Sequence, residues 1–265
     1  MTEEVKTVNL NSNIAMTQRD VIVDRVPISI SVNQITGEYL LTYPRDDSGS
    51  FGGDVIMYPQ SPDTQIHAPI TIKDFYQTSS LYRPLDARFD YVRGKIWITD
   101  STGGGRVIKV GKELPRDVDV IVEELDYPHA IAPNLNTGGA FIKAFNGDDR
   151  VEGVIHILKF NGEESDSLVF QNDFPAELSP YSIVFDHVRS RVWWVAGSRI
   201  YMADVKNFEV RSFNVQSSGF SSVYTIDVEL ATGNTFVVAG DNHDERFVLQ
   251  MFRDNNLLLA SAYLE

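Results

Sequence analysis

An all-β chain folded as a five-bladed β-propeller, four antiparallel strands to a blade, is what this sequence predicts. Three observations carry that reading. Amphipathic helical spacing is nearly absent, with no sustained run of apolar residues at i, i+3, i+4 and i+7 behind a capping residue. Short apolar, β-branched and aromatic runs recur instead, among them ISISV (28–32), KIWITD (95–100), RVWWVAG (191–197) and TFVVAG (235–240). Gly, Asn, Asp, Ser and Pro separate them, which is strand-and-turn composition. These runs also repeat as a unit, and a repeat decides between propeller and sandwich.

Five strand–turn–strand segments align, starting at Ile28, Ala87, His129, Tyr181 and Tyr224. Each opens with an apolar strand, usually ends it near Asn or Asp, turns through Gly or Arg, and resumes with an aromatic-rich strand. The turn positions Gly37, Gly94, Gly138, Ser190 and Gly233 are spaced by 57, 44, 52 and 43 residues. A third strand follows each pair: GDVIMYP, RVIKV, GVIHILKF, RIYMAD and RFVLQMF. A fourth follows that: APITIKDF, VDVIVEEL, DSLVFQN, EVRSFNV and NLLLASAYL. Five such units in 265 residues take 53 each. A four-stranded twisted sheet cannot bury both of its faces by itself; blades stacked radially can.

The last unit ends on its own fourth strand, so closure by a borrowed N-terminal strand is not required, although VIVD (21–24) is available for it. Residues 1–20 match no blade and read as an extended polar arm, leaving 21–265 as one propeller domain. Trp193 and Trp194 are neighbours in a second strand, so alternation sends one ring to each face of its sheet. Both faces of a blade are covered, and both rings are expected in the core.

The stretches FDYVRGKIWITDSTGGGRVIKV (89–110) and FDHVRSRVWWVAGSRIYMAD (185–204) resemble the blades of NHL and SMP-30-like propellers. Those blades read apolar-Asp, a short turn, an apolar-aromatic strand, a loop, and then Arg with an aliphatic residue. The resemblance implies the fold and not an activity, because one fold hosts many functions. SMP-30-like lactonases hold a divalent cation with a Glu in the first blade and with Asn and Asp on inner strands. Their blades carry an Asn-Gly pair before the inner apolar strand. Here Tyr181-Ser182, His129-Ala130 and Val223-Tyr224 stand at that place, so the lactonase activity is not carried over.

Composition narrows the function classes. With 23 basic and 37 acidic side chains the net charge is −14, which opposes binding to a phosphate backbone or an anionic membrane. No nucleic acid and no membrane is expected among the partners. Cysteine is absent, which removes disulfides, thiolate metal sites and a Cys nucleophile. The start, MTEEVKTVNLNSN, lacks the basic-then-apolar order of a signal peptide, and no apolar run suits a membrane helix. The expected location is the cytoplasm or a virion.

The five histidines (67, 129, 156, 187 and 243) have no metal-ligand spacing, and no Gly-x-Ser-x-Gly occurs. Acidic loops are the most distinctive feature. The connections from second to third strands carry Asp46, Asp47, Asp54, Asp100, Asp148, Asp149, Glu152, Asp241, Asp244 and Glu245. They predict one strongly negative face, with Asp46, Asp47, Asp148, Asp149, Asp241 and Asp244 as partner-binding candidates. The opposite face, with turns bearing Arg93, Lys95, Arg189 and Arg191, is expected to be basic. No cofactor is expected. Calcium comes nearest at NGDDRVEG (146–153), which lacks the alternating ligands of a calcium loop.

Asp24, Asp86, Asp126 and Glu177 each precede an innermost strand, where they would rim the channel. Paired carboxylates across a channel are the requirement of glycoside hydrolysis. The expected function is nonetheless a non-enzymatic binding or structural module acting by protein–protein contact in a larger assembly. A decoration or tail component of a phage virion is the setting expected. The alternative is a glycoside- or lactone-hydrolysing enzyme using those four carboxylates.

Overall fold

At each of the five repeat turns the chain reverses through a residue of positive φ: Gly37 at 71°, Gly94 at 60°, Gly138 at 84°, Ser190 at 55° and Gly233 at 79°. Four of the five are glycine, which takes this conformation without a Cβ penalty. The computed structural model describes residues 3–4, 22–23, 27–33, 35–44, 52–58, 70–71, 81–101, 104–111, 118–146, 152–160, 165–172, 182–207, 209–215, 222–241, 246–253 and 258–264. No helix occurs among them.

Strands β1 (Glu3–Glu4) and β2 (Ile22–Val23) form an antiparallel pair of their own. Blade 1 is β3 (Ser29–Val32), β4 (Tyr39–Tyr43), β5 (Asp54–Tyr58) and β6 (Ile70–Thr71). Blade 2 is β7 (Pro84–Asp90), β8 (Lys95–Asp100), β9 (Arg106–Gly111) and β10 (Val118–Glu123). Blade 3 is β11 (Ala130–Pro133), β12 (Ala140–Asn146), β13 (Glu152–Phe160) and β14 (Ser165–Asn172). Blade 4 is β15 (Ile183–Asp186), β16 (Arg191–Ala196), β17 (Arg199–Asp204) and β18 (Val210–Asn214). Blade 5 is β19 (Ser222–Val228), β20 (Thr235–Asp241), β21 (Arg246–Phe252) and β22 (Leu258–Leu264). Within every blade the strands pair antiparallel in chain order, and the fifth ends on its own fourth strand. The predicted five-bladed, four-stranded architecture is the one observed.

The core lies between blades. Leu40, Val55 and Met57 of blade 1 pack on Ala87, Phe89, Ile96 and Ile98 of blade 2. Trp97 and Val107 of blade 2 meet Ile131, Ala140 and Ile142 of blade 3. Trp194 joins the cluster shared with blade 3, whereas Trp193 joins the one shared with blade 5. The alternation expected of this pair therefore holds, and both rings are buried.

The junction between blades 5 and 1 differs. Inner strands lie against one another from β3 to β7, β7 to β11, β11 to β15 and β15 to β19, but β19 and β3 make no comparable contact. The register places Val32, Phe89, Phe185 and Val228 at one equivalent position facing the preceding blade. Phe89, Phe185 and Val228 are buried there, yet Val32 is 53% exposed. Two and four residues earlier, Ile30 and Ile28 are each 48% exposed, where Ala87 and Leu85 of blade 2 are buried. On the other wall, Phe236 and Val238 of blade 5 are half-buried at positions where Trp97 and Thr99 of blade 2 are buried. Burying one such aliphatic side chain is worth about 1.5–3 kcal/mol. Leaving three of them half open forgoes roughly 3 kcal/mol, so blade stacking covers four junctions fully and the fifth only in part.

Candidate binding face at the channel mouth

At the ends of the inner strands of blades 1, 3 and 4 a side chain organises the following turn. Asn33 Oδ1 accepts the N–H groups of Ile35 and Thr36 at 3.1 and 3.3 Å. Asn134 Oδ1 accepts those of Asn136 and Thr137 at 3.1 and 3.2 Å. Asp186 Oδ1 does the same for Val188 and Arg189 at 3.1 and 3.0 Å. Asn and Asp suit this place because a short side-chain acceptor can replace the missing backbone partner.

In blades 2 and 4 the turn also carries an arginine that reaches the next blade. Arg93 ion-pairs with buried Asp90 at 3.3 Å and donates to the carbonyl of Leu135 at 3.0 Å. Arg189 pairs with buried Asp186 at 3.2 Å and donates to the carbonyl of Leu230 at 3.1 Å. Between them, Asn136 Nδ2 donates to the carbonyl of His187 at 2.9 Å. The turns of blades 2, 3, 4 and 5 are thus tied into one belt. Of Arg93, Lys95, Arg189 and Arg191, expected to make this face basic, Arg93 and Arg189 have their charge offset by buried carboxylates.

Inside the belt, Tyr91, Leu135, His187 and Leu230 line the mouth of a central cavity of about 210 Å³. Ile30, Arg88, Ile131, Ile183 and Asp227, one from each inner strand, form deeper walls. Arg88 Nε bridges both oxygens of Asp86 at 3.0 and 3.1 Å. Asp86 also accepts the Ser29 hydroxyl and the Ile131 N–H, so one carboxylate joins blades 1, 2 and 3. Asp227 accepts the N–H of Val228 at 2.8 Å. Desolvation inside the channel pushes its carboxyl above the usual range, while that N–H and the charge of Arg88 pull it down. The desolvation is the larger effect, and the carboxyl is raised on balance. Desolvation, and then the charge of Asp90, raise the Tyr91 phenol.

Apolar tips stand around the mouth: Ile35, Val92 and Val188 are 72%, 59% and 60% exposed. Singly such residues need no explanation, but three at equivalent turns around one opening form a surface. Sequence reasoning treated these turns as basic connections and passed over the apolar residue at their tips.

The four carboxylates proposed for hydrolysis are not brought together among the described residues. Asp86 lies within β7 and not before it, 1% exposed and held by Arg88, Ser29 and Ile131, because a bulge between Pro84 and Asp86 draws the strand's start upstream. It is a strut. Asp126 is exposed in the entry to blade 3. Asp24 and Glu177 lie outside the described residues, as do Asp46, Asp47, Asp148, Asp149 and Asp244. Asp241 ends β20. Two other acids counted toward the negative face are interior: Asp54 is buried in β5, and Asp100 is buried and paired with Arg106 at 2.9 Å. Asp100 also accepts the N–H groups of Tyr82 and Arg83, which pins the entry to blade 2. Among the described residues no three His, Asp or Glu side chains converge as a metal site. No described helix is long and apolar enough to cross a membrane.

No family model matches the chain, and no curated protein matches it. Solved structures do. A chain of the nidogen/laminin complex aligns over 98% of this chain and 90% of its own length, with a TM-score of 0.73 and 13% identity. A TolB-like protein from Agrobacterium tumefaciens aligns over 93% and 85%, with a TM-score of 0.65 and 12% identity. A quinoprotein alcohol dehydrogenase-like protein from Bacteroides thetaiotaomicron gives 0.54 at 10% identity; this chain, aligned over 92%, spans 57% of it. At such identities the likeness shows the propeller fold.

Proposed function

We propose that this chain is a non-enzymatic protein-interaction module, and that it meets its partner through the belt of turns around the channel mouth. One observation carries the reading: Val92 and Val188 stand exposed on turns that Arg93, Asn136 and Arg189 tie together, and Ile35 stands exposed at the equivalent turn of blade 1. A preorganised apolar surface binds without a further ordering cost. The cavity of about 210 Å³ behind it is smaller than the 300–1,000 Å³ usual for small-molecule sites. It suits a single inserted side chain. An apolar or aromatic anchor is the chemistry we assign to the partner, with the exposed Asp227 facing a polar tip. That a fold neighbour comes from the nidogen/laminin complex fits a contact role. We propose a larger assembly as the setting, with a phage particle suggested by sequence style. The narrower kinship with NHL and SMP-30-like propellers is likewise proposed, on blades 2 and 4.

The test is a co-purification series from the native source. Val92→Asp with Val188→Asp should lose the partner while leaving the thermal midpoint unchanged, since surface changes away from special contacts stay within about 0.5 kcal/mol. Retention of the partner by that variant, with loss on Asp148→Lys and Asp149→Lys, would overturn the turn face in favour of the acidic loops.

A further inference from the structure

We propose that the notch between the repeat turns of blades 1 and 2 receives an arginine side chain of the partner, a second contact beside the anchor in the channel. The inference rests on the turn face being the interface. The belt itself supplies the precedent. Arg93 leaves the turn of blade 2, keeps the carboxylate of Asp90, and donates to the carbonyls of Leu135 and Asn136 in the turn of blade 3 at 3.0 and 3.5 Å. It lies across Gly138, where an added Cβ would come within 2.6 Å of it. Arg189 lies across Gly233 in the same way and donates to the carbonyl of Leu230. Each arginine stands one residue before the positive-φ residue of its own turn. In blade 1 that place holds Thr36, whose side chain is too short to cross.

The result is a cavity of about 190 Å³, lined by Asn33, Ile35 and Thr36 of blade 1 and by Phe89, Tyr91 and Gly94 of blade 2. Among the described residues, a Cβ on Gly94 would meet nothing within 4 Å, so the surface that an arginine covers in blades 3 and 5 is bare. The turns are equivalent, which sets the carbonyls of Tyr91 and Val92 where those of Leu135 and Asn136 accept Arg93. A carboxylate is at hand as well. Glu38 accepts from the Asn33 amide and the Thr36 hydroxyl, two of the lining groups. It stands two residues before Leu40, on the face packed toward blade 2. Lys95 also borders the cavity, but it stands two residues before Trp97, on the face packed toward blade 3. Alternation therefore directs its ammonium away. A carboxylate on one wall and two carbonyls on the other suit a planar guanidinium better than a point-charge ammonium. Ile35 and Phe89 offer its methylene stem an apolar wall.

The probe is N-acetylarginine methylamide, titrated into the isotope-labelled full chain while the amide resonances of Tyr91 and Gly94 are followed. Their shifts should saturate, and the citrulline analogue, of the same shape without the charge, should bind at least about fivefold more weakly. Thr36→Arg supplies the missing arginine from within and should abolish the saturable shift, with circular dichroism unchanged. Shifts that stay linear in concentration, or that still saturate in that variant, would overturn the proposal. Should Thr36→Arg not fold, Glu38→Gln decides: a loss of affinity of about fivefold supports the notch, and an unchanged affinity excludes it. Co-purification separates the notch from the wider reading. Loss of the partner with Thr36→Arg supports the notch. Retention there, with loss on Val92→Asp and Val188→Asp, removes the notch and leaves the turn face standing; retention by both variants removes the face as well.

Discussion

Asp86 shows how one side chain can carry a fold. Its carboxylate takes Arg88 from its own blade, the Ser29 hydroxyl from the blade before and the Ile131 N–H from the blade after. Removing a buried acceptor strands its donors, at about 3–5 kcal/mol for a broken buried pair. Asp86→Ala should lower the unfolding free energy measured in urea by an amount in that range, and Asp86→Asn by less, because an amide oxygen still accepts. Lys143 gives a test in pH. Burial in β12 pushes its ammonium well below the ordinary 10.5. Between that lowered value and 10.5 the unfolded chain binds more protons than the folded one, so stability rises as pH rises through the window. Lys143→Met should flatten the slope, read from urea midpoints in steps between about pH 7 and 10. The buried place of Asp86 was not legible in the sequence. Alternation around a bulge is ambiguous by one residue, and the ambiguity turned a strut into a candidate acid.

At the scale of the element, the turns were the most legible part. Gly37, Gly94, Gly138, Ser190 and Gly233 mark the repeat, and all five have positive φ. What they support across the blade boundary was hidden, since it joins residues more than forty apart. Gly138 lies under Arg93, and a Cβ there would come within 2.6 Å of the arginine Nε. Gly233 lies equally close under Arg189. Gly138→Ala should therefore cost more than the 1–2 kcal/mol of the left-handed backbone, by also displacing the arginine. Arg93→Ala should relieve that second part, so the double variant should be more stable than the sum of the single costs implies, and a thermodynamic cycle measures the difference. Arg189→Ala with Gly233→Ala should repeat the result two junctions further on.

At the scale of the whole molecule, the predicted count of blades and strands holds, but Ile28, Ile30 and Val32 looked in the sequence like every other buried inner strand. Their exposure is a property of their neighbour and not of themselves, which is why pattern could not reveal it. A closed ring has no ends; an array with one weak junction has two. Such an array behaves as a line of nearest-neighbour units, each held by whichever neighbours it has. Blades 2, 3 and 4 are clamped on both sides, and blades 1 and 5 on one. Melting should then begin at blades 1 and 5 and travel inward, so amide exchange in β4 and β20 should run ahead of that in β8, β12 and β16. The same polarity governs where the chain tolerates new termini. A cut in the connection between blades 2 and 3 would open a well-packed junction while the weak one stays weak, so a protein nicked there should unfold at a lower temperature than the uncut chain.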